Sequence, residues 1–288
     1  MLIRPIIFII KLILSIIPLW SIQILGIIFG HLFHFFKNNT KNILIQNLAC
    51  TNIYKNKSDL DQAINLNISE TGKTILEGLS IWASPQKRVL DWVSRVEGIH
   101  NIAQAKRLGK GIIFLTPHLG AYEISSIYYG STHPLTVLFR PSRLSWLSNF
   151  MDNGRKKGLI KLAPTNRSGI KKILQALREG EAIGILPDQA ANKGEGEWVP
   201  FFNRPAYTMV LVSRLVKKTG ASVIMVYTER LSLGKGFAIH LEAIKSKEID
   251  SPTGLNKLLE RIIRKNPTQY LWNYDKHKGY ESQLEKFK

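Results

Sequence analysis

The segment GIIFLTPHLGAYE, residues 111–123, sets an imidazole just past an apolar run and a carboxylate five positions further on. A neutral imidazole takes a proton from an alcohol near neutral pH. A carboxylate on its other ring nitrogen fixes the tautomer and stabilises the imidazolium that forms. His118 and Glu123 are the candidate pair. On a regular helix, side chains five residues apart point about 140° away from each other. The two meet only if His118 lies on a loop and Glu123 in the first turn of a following helix, with Gly120 allowing the bend. Taken alone, the spacing has a second reading, a strand-end histidine satisfied by backbone and a glutamate favoured at a helix start. No Ser or Cys nucleophile stands beside the histidine, so the chemistry indicated is base-assisted attack by a substrate hydroxyl without a covalent enzyme intermediate.

Elements must deliver these residues. Residues 40–95 read as helices: NILIQNLA and SETGKTILEGLSIWA carry apolar residues at three- and four-residue spacing, with Ser69 placed to cap the second and Pro85 to stop it. From about residue 97 the pattern turns to alternation. Strands are predicted at 111–116, 134–139, 181–187, 221–230 and 235–244, and helices at 168–180, 209–220 and 253–265. The expected fold is α/β, a mixed central sheet with helices on both faces, preceded by an N-terminal membrane-anchor helix and a helical segment. Sheets of this kind bind ligands at the carboxyl ends of their strands. His118, Arg140 and Asp188 each stand one to three residues past such an end. Arg140 suits a phosphate, with an ordinary surface arginine as the plainer reading. Asp188, in a Pro-Asp pair, also reads as a turn or cap residue.

The 288 residues carry 40 Lys plus Arg against 21 Asp plus Glu, a net charge of +19. That excess implies an anionic partner. The basic residues are dispersed and lack interleaved aromatics, which argues against nucleic acid. The single cysteine, Cys50, cannot form an internal disulfide and fits a reducing compartment. With no CxxC or HExxH pattern, no metal site is expected. Residues 12–36 hold no Asp, Glu, Lys or Arg. As a helix they would reach about 37 Å, more than a bilayer core of about 30 Å, with Pro18 as a bend. No A-x-A cleavage pattern follows, so a membrane anchor is favoured over a signal peptide or a buried helix. Arg4 and Lys11 on one side balance Lys37 and Lys41 on the other, so orientation stays open, as does crossing the bilayer against lying in its surface.

The blocks VEGIHNIAQAKRLGKGIIFLTPHLGAYEI, VLFRPSR, NRSGIKKILQALREGEAIGILPDQ, VPFF and PTQYLWNYDKHK, in that order, resemble the bacterial lipid A late acyltransferases. These belong to the lysophospholipid/glycerol-phosphate acyltransferase superfamily, whose mark is H-x4-D/E; the ordered set is far more specific than that mark alone. The resemblance implies a membrane anchor over residues 1–40 and a catalytic domain over 41–288, made of a helical lead-in (41–100) and an α/β core (101–288). It implies transfer of a fatty acyl chain from acyl carrier protein to a hydroxyl of a lipid A precursor, at the cytoplasmic face of the bacterial inner membrane. By the same resemblance His118 is the general base and Glu123 its partner. Arg140 aligns with a position binding the polar head of a substrate, Arg167 with an arginine of the catalytic cleft, and Asp188 and Gln189 with a substrate-binding block. Thioester-to-ester transfer calls for no cofactor. The basic surface then suits acidic acyl carrier protein, a phosphorylated acceptor and an anionic membrane. Backbone N–H groups near Gly120 or Arg167 are candidate oxyanion donors. Tyr122 stands where the family often has Trp, a conservative exchange of large amphipathic rings. WNYDKHK, with Asp275, replaces a more basic ending, and another acceptor (a lysophospholipid, an ornithine lipid or a phosphoinositide mannoside) is the alternative.

Overall fold

A strand buried on both faces reads as an unbroken apolar run, and two here do so. β2 (Ile112–Leu115) and β5 (Ala182–Ile185) are buried at every residue. The computed structural model describes residues 11–36, 38–141 and 145–280. Arg4, Lys37 and the Ser142–Arg143 part of VLFRPSR lie outside them. β2 and β5 are neighbours in a seven-stranded sheet of order β1-β9-β8-β2-β5-β3-β4. The other strands are β1 (Val93–Glu97), β3 (Leu135–Phe139), β4 (Ile160–Pro164), β8 (Ser222–Arg230) and β9 (Phe237–Ile244). All neighbours run parallel except β8 and β9, which makes the sheet mixed.

Alternate side chains along a strand face opposite ways, and the two sets build two cores. Ile113, Leu115, Ile183, Ile185 and Val223 pack with α8 (Arg167–Arg178), α9 (Leu211–Thr219) and α10 (Pro252–Ile263). Ile112, Phe114, Ala182 and Ile224 pack on the other face with α4 (Gln86–Asp91), α5 (His100–Arg107) and α6 (Glu123–Gly130). Helices thus cover both faces, as the alternation predicts. α8 and α9 end just before Gly180 and Gly220, where the sequence pattern stops them.

At the N-terminal side, residues 11–16 are helical, the chain breaks at Pro18, and α1 follows (Leu19–Phe36), then α2 (Asn38–Ala49) and α3 (Lys57–Ala83). α3 corrects one expectation. Its cap is Asn56, whose side chain accepts from the Asp59 N–H, and Ser69 lies inside the helix with its hydroxyl donating to the Asn65 carbonyl. The apolar spacing already runs from Leu60 onwards, so no new start is needed at Ser69. The stop at Pro85 holds: α3 ends at Ala83 and α4 begins at Gln86. β1, β4 and an antiparallel hairpin of β6 (Gly196–Phe201) and β7 (Arg204–Met209) have no counterpart among the predicted strands. β1 and β4 are the two edges of the sheet, and these segments carry the charges and prolines that protect exposed strands, which erases the apolar signal.

Candidate active site

Strand register brings the site together. Leu115 of β2 lies opposite Ile185 of β5, so the third residue past each, His118 and Asp188, arrive side by side. One oxygen of Asp188 accepts the His118 backbone N–H at 2.8 Å, and the other meets the ring Nδ1 at 2.9 Å. Burial pushes the Asp188 carboxyl up, but the opposing charge and hydrogen bonds of His118 outweigh it and hold the group below the usual carboxylate range. An ionised carboxylate on Nδ1 assigns the ring proton to Nδ1 and leaves Nε2 as the basic nitrogen. The buried Tyr270 hydroxyl hydrogen-bonds the same carboxylate; burial, and then Asp188, raise its pKa well above that of a free phenol. Nε2 lies 3.4 Å from the Gln189 side-chain nitrogen.

The loop carrying His118 is pinned on both sides. The Gly120 N–H donates to the Gln269 carbonyl, the Ala121 N–H to the Thr228 carbonyl, and the Leu271 N–H to the carbonyl of His118 itself. Gly120 has φ +58°, and a Cβ there would run into the Thr228 carbonyl oxygen. Because its N–H is already engaged, Gly120 does not present a free oxyanion donor.

Glu123 is where the expected pairing fails. His118 does sit on the loop and Glu123 does open α6, the arrangement that the spacing requires. The ring Nδ1, however, is already held by Asp188, and among the described residues no hydrogen bond or ion pair joins His118 to Glu123. Glu123 is held instead by Arg155, the last residue of α7 (Ser145–Arg155). Arg155 Nε lies 3.2 and 3.1 Å from the two carboxylate oxygens, and Nη2 donates to Oε1. The guanidinium also lies over the Trp82 ring, 5.2 Å from its centroid. Burial alone would lower the Arg155 pKa; Glu123 more than offsets this and keeps the group charged. Between the two pairs, Tyr122 meets the imidazole edge-on at 4.6 Å, and burial raises its hydroxyl pKa, with the Glu123 charge adding to the shift.

His118, Glu123, Arg155 and Gln189 line one cavity of about 750 Å³. Its deeper wall is apolar, built by Phe114, Leu135, Val137, Ile160 and Val226 around Gly184 of β5. Arg140 and Arg167, both exposed, line it too, joined by Lys171 and Arg214, which sequence reasoning did not single out. Asp188 is not part of the lining. Its carboxylate is 2% exposed and consumed by His118 and Tyr270, so the expectation of a substrate-binding Asp188 gives way to a residue that positions the histidine. Arg155, Tyr270 and Lys276 were also missed. Lys276 is 2% exposed, its Nζ donates to Asn256 Oδ1 at 3.1 Å and faces the Phe201 ring. Burial lowers its pKa to about 8, against the opposing pull of Asp188 and Glu260. For Tyr270 and Lys276 a signal existed, since both lie in PTQYLWNYDKHK; for Arg155 none did. Asp275, in the same block, accepts the His277 N–H in a local turn.

This arrangement can hold an alcohol against a base whose partner is fixed, beside a half-buried guanidinium and above an apolar pocket. Comparison with known proteins points the same way. Residues 3–278 match the profile of a family described as bacterial lipid A biosynthesis acyltransferase. Over 262 residues the chain is 25% identical to the lipid A biosynthesis palmitoleoyltransferase of Escherichia coli (strain K12), covering 88% of this chain and 84% of that protein. It is 24% identical over 221 residues to the lauroyltransferase of the same organism (74% and 70% covered). It is 26% identical over 205 residues to a lipid A biosynthesis acyltransferase of Haemophilus influenzae (69% and 63% covered).

Proposed function

The chain belongs to the bacterial lipid A biosynthesis acyltransferases, and we propose that it transfers a fatty acyl chain from acyl carrier protein to a hydroxyl of a lipid A precursor. On this reading residues 41–288 form the catalytic domain on the cytoplasmic side of the inner membrane, and residues 1–40 hold it there. The observation that carries the reading is the His118 imidazole, fixed at Nδ1 by Asp188, in the wall of a large and mostly apolar cavity. The acceptor hydroxyl gives its proton to His118 Nε2 as its oxygen attacks the thioester carbonyl carbon. The tetrahedral intermediate collapses, the carbon–sulfur bond breaks, and the leaving thiolate takes the proton back from Nε2. The products are an oxygen ester and a thiol, with His118 restored. Arg155, positioned by Glu123, supplies fixed positive charge where the oxyanion develops. The apolar wall receives the acyl chain. Arg140 and Arg167, with Gln189, meet the polar and phosphorylated parts of the substrates.

The test is transfer from radiolabelled acyl–acyl carrier protein to a tetra-acylated lipid A precursor in mixed micelles, run with the wild type and with His118→Ala. We expect transfer by the wild type and a loss of about 10³-fold or more in the variant, the upper part of what a positioned base contributes. Transfer to lysophospholipid with none to the precursor overturns the acceptor. Transfer undiminished in His118→Ala overturns the base.

A further inference from the structure

The described part of the N-terminal segment does not stand away from the globular domain. Pro18 has no N–H for the Leu14 carbonyl four residues back, and Ser80 Oγ donates to that carbonyl at 2.7 Å. Arg88 Nη2 donates to the Ile17 carbonyl. Further along, Gln23 donates to Glu77 at 3.0 Å while its own oxygen accepts the Gly234 N–H. His31 meets Ser69 at 3.1 Å. Between these ties Gly26 and Gly30 press on Gly72 and Lys73 so closely that a Cβ at Gly26 would come within 2.6 Å of the Lys73 Cα. Contact therefore runs from residue 14 to residue 31, along α3 from Ser80 to Ser69.

α3 cannot follow such a helix into hydrocarbon. The stretch of α3 beside α1 carries Glu70, Lys73 and Glu77, and both glutamates are bound to Arg230, at the end of central-sheet strand β8. Asn67 of the same helix donates to the carbonyls of Thr268 and Tyr270, beside the His118 loop. A crossing α1 would draw a buried ionic cluster and the end of the central strand β8 with it, at the high cost of charge in a bilayer.

The other face of the segment is bare and apolar. The buried residues of α1 fall within roughly a third of its circumference and the exposed ones on the opposite side, at 100° per residue. Leu12, Ile16, Trp20, Ile28 and Phe35 are all more than half exposed. The β8–β9 loop adds Leu233, also more than half exposed, next to Gly234, whose Cβ position would lie 3.0 Å from Trp20. The surroundings are basic: Lys11, Lys41 and Lys235 are exposed, and the first acidic residue of the whole chain is Asp59. The acidic residues of α3 beside α1, Glu70 and Glu77, are neutralised by Arg230, so an apolar stripe flanked by exposed lysines matches an anionic lipid surface.

We propose that α1 and the helical residues before it lie in the plane of one bilayer leaflet, together with the Leu233 loop, and do not cross the membrane. The leaflet is then met at the carboxyl end of β8, the same end of the sheet at which β2 delivers His118. A lipid acceptor reaches the site from the leaflet in which it already sits.

The test uses the full chain in its own membrane. In a Cys50→Ala background, Lys11→Cys, Asn39→Cys and, as a reference on the globular domain, Lys257→Cys are exposed to a membrane-impermeant maleimide in sealed spheroplasts and in inverted vesicles. We expect all three to react from the same side only. Reaction of position 39 from the opposite side, or from neither, overturns the proposal. A second arm measures flotation of the purified chain with vesicles of phosphatidylethanolamine and phosphatidylglycerol. Leu233→Glu is expected to weaken binding at least fivefold, and Leu108→Glu, also more than half exposed but at the far end of the sheet, to leave it unchanged. Equal binding by both variants removes the loop from the surface, and unchanged binding to vesicles lacking phosphatidylglycerol removes the charge argument. None of these readouts involves acyl transfer, so their failure leaves the catalytic reading standing.

Discussion

Asp188 and Glu123 are two buried carboxylates of one site, 2% and 7% exposed, and they meet different partners. Asp188 spends both oxygens on His118, backbone and ring, and is absent from the cavity wall. Glu123 lines the cavity and spends both oxygens on Arg155, which lines it as well. The first carboxylate acts on the His118 imidazole, by fixing its tautomer. The second acts on a guanidinium, by fixing where positive charge stands. The carboxylate near the histidine in sequence is therefore not its hydrogen-bond partner, and the two should fail differently when neutralised.

The largest difference is expected from Asp188→Asn. An amide can offer an N–H to Nδ1 and so favour the wrong tautomer, which elsewhere costs about 10⁴ in kcat; a loss of about 10³ or more, with KM little changed, is expected here. Glu123→Gln leaves the imidazole partner intact and loosens Arg155, for which a loss of about 10² is expected, the scale of one misplaced oxyanion donor. Steady-state kinetics on both variants decide the matter. If Glu123→Gln matches or exceeds Asp188→Asn, the division of labour is wrong.

Acid stability sharpens the same contrast. Asp188 has a folded pKa below its unfolded value of about 3.9. It contributes stability above about pH 4, and that contribution is lost as pH falls through the folded value. Urea midpoints of the wild type should therefore drop more steeply below pH 4 than those of Asp188→Asn. Parallel curves would mean that the carboxylate is not held down by His118.

Much of this site was legible in the sequence, because strand ends are. The runs ending near residues 116, 139 and 187 place His118, Arg140 and Asp188 at carboxyl ends without any knowledge of the sheet. What the chain order hides is adjacency. β5 follows β3 and β4 in sequence but inserts between β2 and β3 in space, and only that insertion sets Asp188 against His118. A local motif such as H-x4-E invites a local pair, while the ring's actual partner is 70 residues away. Arg155 ends a helix whose sequence carries no chemical pattern, and its role depends on α7 packing against α3 through Gly154 and Trp82. In the N-terminal segment, hydropathy identified an apolar helix but not its docked face, which is drawn in Gly and Gln and recognisable only beside α3.

A control for both carboxylates lies deeper in the cavity. At Gly184 a Cβ would meet Val137 at 3.5 Å, an ordinary contact, so larger side chains there fill space before they strain the sheet. Gly184→Val is expected to shorten the preferred acyl chain by about two carbons, read as product mass from a mixture of acyl donors, with kcat for the shorter donor within about tenfold of wild type. An equal fall for all chain lengths would mean that the acyl chain does not run past β5.

The smallest effect concerns the buried lysine whose charge acts on Asp188. Lys276 is buried with its pKa lowered to about 8, against about 10.4 when unfolded. Between those values the unfolded chain binds more protons than the folded one, so stability rises with pH across that window; below about pH 8 both forms are charged and the full desolvation cost is felt. Asn256 and the Phe201 ring return part of that cost. Lys276→Met keeps the volume and removes the charge, and a gain of about 1 kcal/mol at pH 7 is expected, with a flatter rise above pH 8. Its kcat should fall only a few-fold, since His118 is the principal charge and hydrogen-bond partner lowering the Asp188 pKa. A loss as deep as that of Asp188→Asn would make Lys276, alongside His118, essential to keeping this carboxylate ionised, and Asp188 would then differ from Glu123 in having two essential partners where Glu123 has one.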